Sequence, residues 1–201
     1  MQNLIALGLA FLLTGSVLGQ RLIGQCEGCE WMLEGMPANP AWSVHISGKE
    51  EPGDPLVIRG TIFKADGKTP APGIVLDVYH TNQKGIYEPA PGQTQARRHG
   101  HLRGWMKSDS RGRYEFTTIR PGAYPGNRAA QHIHPILLEP NGNYYYIDEY
   151  LFDDDPLLTA NERTRQEGRG GNGIIKLAKD SHGRWTGTRD IVLGRNIPGY
   201  P

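Results

Sequence analysis

The sequence predicts an all-β chain, a single-domain β-sandwich with long loops and at most one short helix. Three observations carry that expectation. The 201 residues include 27 glycines and 15 prolines, enough to punctuate many short strands. The apolar residues, 37% of the chain, gather in short runs rich in β-branched side chains and not at helical spacing. Turn-forming residues such as Asp66-Gly67 and Asn141-Gly142 separate those runs. A formal net charge of +1 gives no basis for nucleic-acid or anionic-membrane binding.

The elements follow in order. Residues 1–19 contain an uncharged apolar stretch from Leu4 to Gly19, and Val17 and Gly19 put small residues ahead of a cut before Gln20. This reads as a signal peptide and predicts export, to the periplasm or the cell exterior. No later stretch is long enough to span a bilayer, so no membrane partner is expected after cleavage. Residues 20–55 are a mixed, proline-bearing lead-in wrapping a domain over residues 56–201. The lead-in holds the two cysteines, Cys26 and Cys29. In an exported protein a local disulfide is expected; a thioredoxin-like motif would want a βαβ context, and zinc would want two further ligands.

Leu56 to Phe63 and Ile74 to Thr81 read as strands, and Glu88 to His101 as a polar loop. A hairpin is expected around Ser110-Arg111-Gly112. A strand carries His132 and His134, another runs through "NYYYIDEYLF", and "DDDPLLTANERTRQ" holds the short helix. A final hairpin turns at His182-Gly183.

The chemistry starts from "AAQHIHPILL". On a strand, residues two apart leave the same face, so His132 and His134 can share one small object. Tyr124 lies in a Pro/Gly-braced turn eight residues before His132, and Tyr87 follows a strand beside a glycine. A phenol gives up its proton only near pH 10, so a tyrosine ligand implies a strongly Lewis-acidic cation. Ferric iron fits: two phenolates cancel two of its three charges, unlike the ferrous site of two histidines and a carboxylate. The plainer reading makes each tyrosine a packed ring with a bonded hydroxyl.

The run Gly85-Ile86-Tyr87, then "RGWMKSDSRGRYEFTTIRPGAYPG" from Arg103 to Gly126, then His132-Ile133-His134, resembles the intradiol ring-cleavage dioxygenases. These are the non-haem ferric enzymes typified by protocatechuate 3,4-dioxygenase and catechol 1,2-dioxygenase. The resemblance covers roughly Leu56 to Phe152 and is specific as an ordered set. It implies a β-sandwich, an Fe(III) cofactor and four ligands, Tyr87, Tyr124, His132 and His134. It also implies that Tyr124 and His134 are axial, and that Tyr124 swings off the metal to help deprotonate the substrate. The implied reaction opens a catechol-type diol with O2 between its hydroxylated carbons, giving a muconate-type diacid. Homo-oligomerisation is compatible with this reading.

One departure stands out. The family usually carries an arginine three residues before the first ligand histidine, where this chain has Ala129. Arg128 is therefore the candidate for stabilising charge on the ring, with Arg98 and Arg103 as alternatives.

Other residues compete for a role. His99-Gly100-His101 is a second His-x-His pair, read as a loop at a pocket rim, where Arg97 and Arg98 could draw a substrate carboxylate. His80 packs or faces solvent. Asp153 to Asp155 suit a turn and helix cap better than calcium. Two rival functions remain. One is a non-catalytic β-sandwich binding module of the transthyretin-like or carboxypeptidase-regulatory type, suggested by "VIRGTIFKADGKTPAPGIVLDV". The other is a copper or zinc site built on His99 and His101.

Overall fold

A computed structural model describes residues 19–126 and 129–201. The proposed signal peptide therefore lies outside the described residues except for Gly19, and so does Arg128. Two sheets form a β-sandwich, as the sequence predicts. The first runs, edge to edge, β1 (Arg21–Leu22), β8 (Asn143–Tyr146), β7 (His132–Leu138), β4 (Val75–Tyr79) and β5 (Arg103–Lys107). Two more strands extend it, β9 (Tyr150–Phe152) on β7 and β10 (Ile174–Ile175) on β9. The second sheet runs β11 (Ala178–Lys179), β12 (Trp185–Thr188), β3 (Pro55–Phe63), β6 (Arg113–Ile119) and β2 (Ser43–His45), with β13 (Ile191–Val192) on β3.

Period-two alternation sorts the side chains of the first sheet. Leu76 and Val78 of β4 and Ile133 and Leu137 of β7 point inward, against Ile58, Tyr114 and Phe116 of the second sheet. Val75, Asp77 and Tyr79 of β4 then face outward, together with His132, His134 and Ile136 of β7. That outer face is not left to water. A 3-10 helix at Cys29–Leu33 lies across it and packs Met32 against Val75 and Ile136. The Cys26–Cys29 disulfide, Cα atoms 5.6 Å apart, closes the turn that starts this helix.

A buried ion pair ties the cover to the sheet. Arg103 grips Asp77 through Nε to Oδ1 at 3.1 Å and Nη2 to Oδ2 at 3.0 Å. The same guanidinium donates to the carbonyls of Trp31 and Glu34, at 2.6 and 3.3 Å, and lies over the Trp105 ring. Residues 20–55 thus do more than wrap: they supply β1 to one sheet and β2 to the other.

Several local expectations change. The turn at Ser110-Arg111-Gly112 is present, but β5 and β6 do not form a hairpin. β5 pairs with β4 in the first sheet, and β6 pairs with β3 in the second. Asp109 accepts the Arg111 and Arg113 N–H groups, and the Ser108 hydroxyl donates to the Ala71 carbonyl, so the chain crosses between sheets. The strand through "NYYYIDEYLF" splits into β8 and β9. Ile136 faces Tyr146 and Ile133 faces Tyr150, so two residues of β7 oppose the three from Ile147 to Glu149. That is a bulge, placed opposite Pro135, whose nitrogen has no proton to donate. The final hairpin is only β11 and β12; β10 and β13 pair elsewhere, in parallel, with β9 and β3.

The short helix is α1 (Ala160–Thr164), and its cap is Thr159, in a capping box with Glu162, not the aspartate run. Asp155 instead accepts the N–H groups of Gln131 and Leu157, while Asp153 and Asp154 pair with Arg163 and Arg120. The segment Gln95–His99, expected as loop, is a second 3-10 helix.

Removing one partner of a buried pair leaves the other charge stranded, at a cost of about 3–5 kcal/mol. Asp77→Ala should therefore lower unfolding stability by about that amount in urea titration, because Arg103 is nearly as buried as its partner. Unchanged stability would mean the pair does not anchor the cover.

Candidate metal centre

The outer face of the first sheet supplies two of the four candidate donors. His132 and His134 leave β7 side by side, with their Nε2 atoms 3.1 Å apart. Two loops supply the others. The loop after β4 carries Tyr87, and the loop after β6 carries Tyr124. The Tyr124 hydroxyl lies 3.1 Å from that of Tyr87, 3.1 Å from His132 Nε2 and 3.4 Å from His134 Nε2. The structure thus gathers all four sequence-predicted candidates around the Tyr124 hydroxyl.

Local sequence explains how the loops meet. Gly85 has φ of 76°, and a Cβ there would fall 1.9 Å from the Ala123 carbonyl oxygen. At Gly122 a Cβ would fall 2.3 Å from the Gln83 carbonyl oxygen. Only glycine at both positions lets the two backbones touch. Asn82 then joins them: its carbonyl accepts the Gly122 N–H at 2.9 Å, and its side-chain oxygen accepts from Lys84 and Ile86. The glycine beside each tyrosine is a contact between loops as well as a turn.

Proton positions follow from the partners. His132 Nδ1 lies 2.7 Å from the Ala130 carbonyl, which can only accept, so Nδ1 carries the proton. Burial, and His134 beside it, hold the His132 imidazolium below its usual pKa, so the ring is neutral and Nε2 is bare. His134 turns Nδ1 toward the Glu149 carboxylate at 3.6 Å, longer than a hydrogen bond but favouring the same tautomer. The two Nε2 atoms therefore face each other. Burial, with the Tyr124 hydroxyl next to it, pushes the Tyr87 phenol well above its ordinary pKa, so water alone would not ionise it.

This donor set fits a cation. Two ligands about 2.1 Å from one ion, roughly 90–110° apart, lie about 3.0–3.4 Å from each other. The three spacings from the Tyr124 hydroxyl and the one between the histidines, 3.1–3.4 Å, fall in that range. Imidazole nitrogens and phenolate oxygens are both metal donors, and the phenols need a Lewis acid strong enough to remove their protons.

Sequence reasoning missed two contributors. Glu149 reaches His134 only because the bulge turns it there, and no linear motif signals that. Tyr79, opposite His134 in the strand register, stacks on its ring with centroids 4.8 Å apart. His99 stacks on the other side of Tyr79 at 3.8 Å.

The competing residues disperse. His99 is buried, and burial pushes it down to about 3. His101 instead contacts Glu51 at 2.9 Å and the Glu88 carbonyl. The second His-x-His pair does not converge on a copper or zinc site. Arg103 is committed to Asp77, and Arg98 is an exposed partner of Glu27, so neither faces the donors. His80 packs, bonded to the Thr81 carbonyl and the Thr118 hydroxyl.

Comparison with known proteins identifies the family. A dioxygenase family model matches residues 27–160, about two thirds of the chain. The chain belongs to the intradiol dioxygenase family. Catechol 1,2-dioxygenase 1 of Acinetobacter lwoffii is 39% identical over 96 residues, 47% of this chain and 30% of that protein. The protocatechuate 3,4-dioxygenase beta chain of Burkholderia cepacia is 32% identical over 126 residues, 56% of this chain and 51% of that one. The chain thus matches about a third and about half of the length of these two curated relatives. The fold resembles the dioxygenase domain of a carbohydrate-binding fusion from Streptomyces sp. SirexAA-E, at a TM-score of 0.59 and 23% identity. That match covers 80% of this chain and 94% of the other. An intradiol ring-cleavage dioxygenase from Tetranychus urticae gives 0.56 at 19% identity, covering 83% and 90%.

Two substitutions probe this candidate site. Gly85→Ala should separate the tyrosine loops and weaken ferric binding on the order of 10–100-fold in a competition titration, with far-UV circular dichroism kept. Wild-type affinity would mean the loop contact does not set the site. His132→Ala should abolish stoichiometric iron by metal analysis; retained iron would remove His132 from the donor set.

Proposed function

We propose that the chain is a non-haem Fe(III) intradiol dioxygenase that opens a catechol-type diol with O2 to a muconate-type diacid. The observation that carries this reading is the gathering of two phenols and two imidazole nitrogens around the Tyr124 hydroxyl. A binding module has no use for such a cluster. Tyr87, Tyr124, His132 and His134 would hold the iron. Bound there, Fe(III) supplies the Lewis acidity that keeps the diol deprotonated and its ring reactive toward O2.

The protein's own groups do the rest. His132 is fixed by the Ala130 carbonyl and His134 by Tyr79 and Glu149, so neither ring needs to turn. Tyr124 is different: it stands on a loop, between Pro121-Gly122 and Pro125-Gly126, and its hydroxyl touches all three other donors. It is the donor best placed to give way to substrate and to take a hydroxyl proton at its phenol oxygen. The apolar side chains of Ala130, Leu151 and Leu158 wall the adjoining cavity, offering a flat ring a dry surface. Export belongs to the same proposal, supported by the apolar residues 4–19 and the Cys26–Cys29 disulfide.

The deciding experiment is a visible spectrum of the ferric-loaded protein with metal analysis, before and after anaerobic addition of catechol. A broad tyrosinate-to-iron band that shifts with catechol, followed by diacid formation on admitting O2, is expected. Tyr124→Phe should weaken both the band and turnover. A protein that stays colourless after ferric loading would overturn the proposal.

A further inference from the structure

The N-terminal cover reaches the donor cluster through a column of flat side chains. Tyr79 stacks on His134 with centroids 4.8 Å apart and planes 20° from parallel. His99 stacks on Tyr79 in turn, at 3.8 Å and 8°. Trp31, in the 3-10 helix of the cover, lies against His99 at 5.7 Å. The column stands outside the sandwich core, because alternation along β4 sends Leu76 and Val78 inward and Tyr79 outward.

The segment that carries His99 is held from a distance. Thr94 stands at the N-cap of the 3-10 helix Gln95–His99, but its side chain makes no capping bond. The first N–H groups of such a helix need acceptors from elsewhere. Glu34, just past the cover's own helix, provides them: its carboxylate accepts the N–H groups of Thr94, Gln95 and Ala96 at 2.6, 2.9 and 3.0 Å. These backbone bonds hold the Glu34 carboxyl below its ordinary pKa, so it stays ionised at neutral pH. Just past His99, Gly100 turns at φ of 70° and passes close to Tyr87, whose Cα a Cβ there would meet at 3.4 Å. The capped segment therefore adjoins two of the four candidate donors, one through Tyr79 and one directly.

His99 contributes a ring face. It is buried, burial keeps it uncharged, and its Nδ1 has no hydrogen-bond partner among the described residues. The stack matters to His134 because the contact from its Nδ1 to Glu149, at 3.6 Å, is longer than a hydrogen bond. Ring packing is then the closer restraint on the plane of that imidazole. We infer that His99 is a positioning residue for His134, acting through the Tyr79 ring and held in register by the Glu34 carboxylate of the N-terminal cover. The inference rests on the dioxygenase reading above and adds the cover to its metal centre.

The test compares His99→Leu, His99→Phe and Glu34→Ala in the full chain. Ferric affinity is read by competition titration, and the donor geometry by the rhombicity of the ferric electron paramagnetic resonance signal and the position of the tyrosinate-to-iron band. His99→Leu fills the space without a flat face and should weaken ferric binding on the order of tenfold and alter both spectra. His99→Phe keeps a flat ring and loses no hydrogen bond from Nδ1, so it should restore wild-type affinity and spectra. Glu34→Ala should shift both readouts in the same direction as His99→Leu. Wild-type affinity and spectra in His99→Leu, or an equal loss in His99→Phe, would overturn the inference while leaving the dioxygenase reading intact. If His99→Leu fails to fold by circular dichroism, Glu34→Ala decides: altered spectra support the inference and wild-type spectra overturn it. A wild-type protein that gives no tyrosinate band on ferric loading would remove the parent reading, and the inference with it.

Discussion

Two imidazole Nε2 atoms held 3.1 Å apart are the constraint around which the outer face of the first sheet is organised. Left to themselves the rings would turn to find other partners. They cannot, because each ring's other nitrogen is committed, one to the Ala130 carbonyl and one toward the Glu149 carboxylate. Much of the surrounding structure serves to keep that arrangement. Asp155 takes the Gln131 N–H just before the histidines and so anchors the start of β7. Tyr79 stacks against His134 from the neighbouring strand.

The tyrosines are positioned by a different kind of force. They come from loops of separate sheets, so no ladder hydrogen bond sets their distance. Backbone contact does so: Gly85 against Ala123 and Gly122 against Gln83, at separations that exclude any Cβ. Asn82 adds the directional bonds that stop the loops from sliding. A rigid strand pair faces a compact but replaceable loop contact. This division of labour suits a centre in which two donors stay and one can leave.

Burying this face has its own cost. Desolvating Asp77 and Arg103 is unfavourable, and their mutual bonds are complemented by the carbonyls of Trp31 and Glu34. The pair locates the N-terminal cover more than it strengthens the fold. It also explains why Arg103, an attractive catalytic candidate by residue type, is spent on structure. At the pocket Glu149 is turned instead toward the His134 ring.

What the sequence determined by itself was local and periodic. Alternation around Ile133 put both histidines on one face, and the glycines beside Tyr87 and Tyr124 marked the tight turns those ligands need. Glycine, proline and β-branched content gave the all-β class, and the segment from Asp153 to Gln166 held the short helix, though its cap is Thr159 and not the aspartate run. Pairing partners were decided only in three dimensions. A strand's pattern does not say which neighbour it meets, so β5 and β6, adjacent in the chain, went to opposite sheets. The bulge that delivers Glu149 depends on register across β7, and the fates of Arg103 and His99 depend on what the N-terminal segment covers. These are non-local contacts, and a linear pattern holds no record of distance between segments that meet only on folding.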